Sequence, residues 1–299
     1  MTHGREFLIL DVFARERFQG NQLAVFPDAA GLTDEEMQAL AREMHFSETT
    51  FILADRPGER GWPVRIFTPA REVPFAGHPT LGTAYVIWDR FLSRQVDEVK
   101  LDLKVGTVPV EVRESGRLLM MTQNSPEFGC RVDAAEAAEV LGLEADELDG
   151  RFPVEEVSTG LPFLIAPVRR LAAVRAVRLN LTAYYRLIER LEAKAVLAFC
   201  PETVVPDCRL HVRVFCDYYD VPEDPATGSA NGCLCGWLVR HRYLGSTEFA
   251  IRTEQGIEIQ RPSELHLEGY ETPQGIVVRV GGQVVPVAEG ALTSQVPGL

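Results

Sequence analysis

Val221–Leu238 reads VPEDPATGSANGCLCGWL. Glu223 and Asp224 open the stretch, small residues follow, and an apolar segment closes it. A surface loop has no need of the apolar tail, and an ordinary amphipathic helix would carry a polar stripe. The pattern predicts a buried helix from about Gly228 to Arg240 whose first turn faces something other than water. A second stretch has the same character. Thr80–Trp88 reads TLGTAYVIW, apolar nearly all round, and follows PFAGHPT. A helix without a polar face must be enclosed by protein.

The two stretches end a repeat. VRIFTPAREVPFAGHPT starts at Val64 and VRVFCDYYDVPEDPATG at Val212. Arg65 pairs with Arg213, Phe67 with Phe215, Val73 with Val221 and Pro74 with Pro222, at an offset of 148 residues, about half the chain. Two related halves are expected, 1–125 and 126–299, with the C-terminal segment able to pack back onto the first. Strands outnumber helices in each. In the first half the pattern predicts strands at Glu6–Phe13, Thr50–Ala54, Pro63–Thr68, Val96–Leu103, Thr107–Arg113 and Leu118–Thr122. Its helices are expected at Asp34–Met44, where Thr33 and Glu36 have capping-box spacing, and at Pro79–Phe91. In the second half, helices are expected at Asp133–Leu141 and Thr182–Leu191, and strands at Ala195–Phe199 and Leu210–Phe215. The fold class is α+β: two pseudo-symmetric halves, each a rolled mixed sheet around one central helix. Both helix starts are expected near the junction of the halves, where pockets form.

Composition excludes several classes. The chain has 299 residues, 46% hydrophobic and 24% charged, which is globular usage. A net charge of −13 argues against nucleic acid and anionic membrane as partners. No apolar run reaches the roughly 18 residues that span a bilayer. The first residues enter a strand pattern with no basic leader, so a cytoplasmic protein is expected. Six cysteines form no C-x-x-C pair, and the histidines are scattered, so no metal site is expected.

Three groups of residues can carry chemistry. In HFSETTF, Glu48 sits among apolar neighbours. It is either a solvated strand-start glutamate or a carboxylate whose pKa is raised toward the range useful for proton transfer, with charge on His78 limiting the rise. The offset puts Val196 opposite Glu48, so the halves are asymmetric there. In PFAGHPTLG, Gly77 permits close approach to the backbone, and Pro79 suits the first helical position, beside His78. In the opening stretch, Asp224 reads as a helix-start acid or a catalytic group, and Gly228 and Ser229 as packing residues or anion donors.

SETTF, FAGHPT and EDPATGSA, together with DVFARERFQGNQLAVF and STGLPFLIAPV, resemble the PhzF-like family of phenazine-biosynthesis isomerases. The resemblance spans about Phe7 to Val287. It implies the diaminopimelate-epimerase-like fold, an active site between the halves, and a homodimer. It also implies catalytic roles for Glu48, His78 and Asp224, and substrate binding by Gly77, Gly228 and Ser229. The expected activity is a cofactor-independent isomerisation that moves a proton between carbons of a small carboxylated cyclic substrate, with Glu48 as acid and base. A second reading is a binding protein on the same fold. A third is a two-thiol racemase, disfavoured because neither FAGHPT nor EDPATGS holds a cysteine.

Overall fold

Thr33 accepts a hydrogen bond from the Glu36 amide at 3.2 Å, and the Glu36 carboxylate takes the Thr33 N–H at 2.8 Å. Helix α1 (Asp34–Met44) therefore starts where the capping box placed it, and His45, left-handed at φ 55°, ends it. A computed structural model describes residues 4–292 of the chain. They fall into two units. One holds the chain up to Met121 and from Gly281 onward, and the other is Thr122–Val280.

The first unit contains β1 (Glu6–Val12), β2 (Asn21–Phe26), α1, β3 (Glu48–Ile52), β4 (Trp62–Phe67), β5 (Glu72–Val73), α2 (Gly77–Val86), β6 (Glu98–Leu103), β7 (Gly106–Arg113) and β8 (Leu118–Thr122). The second contains β9 (Glu127–Val132), α3 (Ala134–Leu141), β10 (Val154–Ser158), β11 (Pro162–Pro167), α4 (Leu171–Ala176), α5 (Leu181–Ile188), β12 (Ala195–Cys200), β13 (Leu210–Cys216), β14 (Val221–Asp224), α6 (Gly228–Arg240), β15 (Glu248–Gln255), β16 (Ser263–Thr272) and β17 (Gly275–Gly282). The last strand, β18 (Val284–Ala291), pairs antiparallel with β1 and belongs to the first unit. The division read at 125/126 falls at Met121/Thr122, and β18 packs back onto the first sheet.

Each unit has the same connectivity. In the first, β2–β3 and β4–β6 are parallel pairs. In the second, β11–β12 and β13–β15 are. A parallel pair needs a crossover connection, and here one crossover in each unit runs through the inner helix. Helix α2 packs against β1, β2, β3, β6, β7 and β18, and α6 against β10, β11 and β16. From His78 to Val86, only Tyr85 of α2 escapes full burial, and of α6 only Ser229 and Arg240 do. The apolar-all-round pattern thus marked the central helices. The outer faces are covered separately. Met37 and Ala41 of α1 pack with Phe26, Phe51 and Phe67, and α3, α4 and α5 cover the second sheet. The elements β2, β5, β9, β10, β11, β14 and α4 were not anticipated. Helix α2 begins two residues before Pro79 and passes into a π-helical stretch at Ile87–Phe91.

The repeat continues past Phe215 in a shifted register. Arg65 holds Glu72 in a two-toothed fork, Nε to Oε1 at 2.8 Å and Nη2 to Oε2 at 2.7 Å. Arg213 holds Glu223 in the same way, at 2.9 and 2.7 Å. The arginines are 148 residues apart, but the glutamates are 151 apart, as are the helix starts Gly77 and Gly228. Three residues are inserted in the turn between β13 and β14. Val73 and Pro74 therefore match Asp224 and Pro225, which corrects the pairing with Val221 and Pro222. Strand register agrees: Val73 lies opposite Ile66, and Asp224 opposite Val214.

Close packing of α6 makes a testable claim. A Cβ on Gly236 would lie 2.6 and 2.8 Å from the Pro126 ring, which cannot bend away. Alanine is the better helix former by about 1 kcal/mol, yet Gly236→Ala should destabilise the protein by about 1–3 kcal/mol through overpacking. Urea unfolding measures the sign, and a stabilised variant would contradict the enclosure of α6.

Candidate active site

Glu48 is the first residue of β3, opposite Leu23 of β2. Side chains alternate along a strand, so Glu48 and Thr50 share the face that looks onto α2. The Thr50 hydroxyl meets that of Thr83 at 2.8 Å, and Glu48 Oε2 lies 3.5 Å from His78 Nε2. His78 is the second residue of α2, after Gly77, and its side chain is only 7% exposed. Its Nε2 also lies 3.3 Å from the Gln22 carbonyl. A carbonyl can only accept, so Nε2 carries the hydrogen.

Burial pushes the His78 pKa down to about 3, only partly offset by that carbonyl. The imidazole is neutral at pH 7. The expected positive charge opposing Glu48 is corrected: His78 stands beside Glu48 without a charge. The strand register also corrects the residue opposite Glu48. Thr49 pairs with Phe67, and Val196 with Phe215, so the counterpart of Glu48 is Ala195. An alanine has no acid–base chemistry, so the asymmetry read from the sequence holds with a different residue.

In the second unit, Asp224 ends β14 and lies outside α6, so it is no helix-start acid. Thr227 occupies the N-cap without a side-chain cap, and its hydroxyl meets Asp224 Oδ2 instead. Gly228 and Ser229 are the first two residues of α6. By register, they match Gly77 and His78 of the first unit. The Gln255 amide touches Asp224 O, Thr227 N, Thr227 Oγ1 and Asn231 Nδ2. Gln123 Nε2 donates to the Gly228 carbonyl at 3.0 Å, and Thr159 donates to Gln123 Oε1 at 2.7 Å. Gln22, Gln123, Thr159, Asn231, Thr253 and Gln255 were missed from sequence. Asn231 alone left a signal there, as an amide inside an otherwise apolar helix.

Thiol chemistry is absent from this arrangement. The residues of the first unit include no cysteine. Cys233 is buried in α6, with its pKa pushed up to about 12 by desolvation, and Cys235 is raised further for the same reason.

The neutral state of His78 sets a pH dependence. Unfolded, the ring binds a proton near pH 6.5; folded, it does so only near 3. Between those values the unfolded state holds more protons, so stability should fall as pH drops from about 6.5 toward 3. His78→Gln should show a shallower fall in urea unfolding between pH 7 and 4.5. Equal slopes in parent and variant would contradict a neutral buried His78.

Three comparisons place the chain. Residues 10–290 match the family model PhzC-PhzF, described as phenazine biosynthesis-like protein. The trans-2,3-dihydro-3-hydroxyanthranilate isomerase of Pseudomonas aeruginosa is 35% identical over 95% of this chain and 98% of its own. A Bacillus anthracis phenazine biosynthesis protein of the PhzF family superposes with a TM-score of 0.88 at 28% identity, covering 97% of this chain and 99% of that one. A probable proline racemase from Agrobacterium radiobacter is only 12% identical at a TM-score of 0.58, over 97% of this chain and 93% of its own, and so shares the fold alone. The chain belongs to the phenazine biosynthesis-like (PhzC-PhzF) family of isomerases.

Proposed function

We propose that the protein moves a proton between two carbons of a small carboxylated ring, with Glu48 as the general acid and base. The observation that carries this is the pairing of Glu48 with a buried, neutral His78 at 3.5 Å, with Ala195 in the corresponding place of the second unit. One carboxylate can serve both steps. It takes the proton as the C–H bond breaks and the electron pair enters the adjacent π system. It returns the proton as a new C–H bond forms at the far carbon. Nothing is oxidised or reduced, and no cofactor is required. With its one ring hydrogen on the Gln22 carbonyl, the neutral His78 stands beside the carboxylate without neutralising it.

The substrate class follows from the Pseudomonas relative, which is named for trans-2,3-dihydro-3-hydroxyanthranilate. A carboxylate suits a helix N-terminus, and Gly228 and Ser229 open α6, because helix N-termini favour anions. Asp224 orients the polar substituents. In keeping with the family resemblance, the working form is a cytoplasmic homodimer. Light scattering at micromolar concentration should therefore give twice the 33.2 kDa of one chain.

Glu48→Gln keeps the side-chain shape and removes the titrating group. With trans-2,3-dihydro-3-hydroxyanthranilate in D₂O, proton NMR should show isomerisation and carbon-bound exchange falling by about 10²–10⁴-fold, the usual worth of a general acid–base group. Binding of the compound should persist. If Glu48→Gln keeps exchange within about threefold while Asp224→Asn abolishes it, the base is Asp224.

A further inference from the structure

Backbone groups fix the direction of the hydrogen bonds that link Asp224 to Thr227 and Gln255. The Asp224 carbonyl can only accept, and the Thr227 N–H can only donate. Gln255 touches both, with Nε2 2.8 Å from the carbonyl and Oε1 3.3 Å from the amide nitrogen. Its amide therefore has one orientation. Asn231 is fixed likewise: Nδ2 donates to the Thr227 carbonyl at 3.1 Å and to Gln255 Oε1 at 2.9 Å, while Oδ1 accepts from the Thr253 hydroxyl at 2.8 Å. The second N–H of Gln255 donates to Thr227 Oγ1 at 3.0 Å. Having accepted there, the Thr227 hydroxyl gives its one hydrogen to its other neighbour, Asp224 Oδ2. Asn231, Thr253 and Gln255 are fully buried. Water cannot readily replace a lost member, and each member fixes the next.

We propose that Gln255 is a positioning residue for the reaction. Through Thr227 it commits Asp224 Oδ2 to the protein, so the carboxylate meets the substrate in one orientation. The same amide pins the chain on both sides of Thr227, from the Asp224 carbonyl to the first turn of α6. This rests on the reading of Asp224 as an active-site residue. Gln255 lies 31 residues from Asp224 in the chain and reaches it through β15, which runs beside β13.

The test uses Gln255→Leu, Thr227→Val and Thr227→Ser in the full-length protein, each also combined with Asp224→Asn. With trans-2,3-dihydro-3-hydroxyanthranilate as the probe, Gln255→Leu and Thr227→Val should lower kcat by about 10–10²-fold, with KM changed by less than about threefold, as for loss of orientation. Thr227→Ser should recover most of the rate. In the Asp224→Asn background, Thr227→Val should reduce the residual rate no further. A separate arm needs no substrate. Amide hydrogen exchange at Thr227, whose N–H donates to Gln255 Oε1, should rise about tenfold in Gln255→Leu, the worth of one lost hydrogen bond, and stay unchanged at Trp237. Equal rate losses with and without Asp224, failure of Thr227→Ser to recover rate, or unchanged exchange at Thr227 would overturn the proposal. If the parent protein leaves the compound untouched, the substrate assignment falls and the exchange arm decides this proposal by itself.

Discussion

Desolvation of His78 is the constraint on which the proposed chemistry depends. An imidazole at the start of an enclosed helix loses the water that would stabilise its charged form. The Gln22 carbonyl holds the one ring hydrogen, and Glu48 stands on the same side of the ring. A charged histidine there would form an ion pair and stabilise the Glu48 carboxylate against taking up a proton. A neutral one leaves the Glu48 carboxylate without an ion-pair partner in the ring. Enclosure of α2 by the sheet, which the all-apolar sequence encodes, thus reaches the chemistry through one residue.

The duplicated scaffold gives each unit the same supports and different functional groups. Both units anchor the approach to the inner helix with an arginine–glutamate fork, five residues ahead of the first helical glycine. At matching positions, the first unit has Glu48, Val73 and His78, whereas the second has Ala195, Asp224 and Ser229. The forks are partly buried and bidentate, which suits them to holding geometry. Around these matching supports the side chains have diverged, with a carboxylate and an imidazole in one unit and a carboxylate and a hydroxyl in the other.

Much of this was legible in the sequence wherever the signal was local. The capping box at Thr33 and Glu36 fixed α1, and the missing polar stripe identified α2 and α6. The repeat was legible up to Phe215, but three inserted residues then hid the match of Val73 with Asp224. Of the two readings of Asp224, the helix-start acid falls, because the residue ends a strand too short to leave a periodic pattern. The charge state of His78 was misjudged because burial is set by strands distant in the chain. Gln255 and Gln123 were invisible for the same reason: a glutamine becomes a support only when folding brings backbone groups to its amide. The return of the C-terminal segment onto the first half was legible, but its partner strand was not, because the β1–β18 pairing spans nearly the whole chain.

The central claim is that His78 stays neutral beside Glu48, and nitrogen NMR of protein labelled with ¹⁵N-histidine tests it most directly. Assigned by comparison with His78→Gln, the His78 ring should show a protonated Nε2 and a bare Nδ1, unchanged from pH 8 to pH 5. Uptake of a second proton near pH 6.5, or a ring with the hydrogen on Nδ1, would contradict the account.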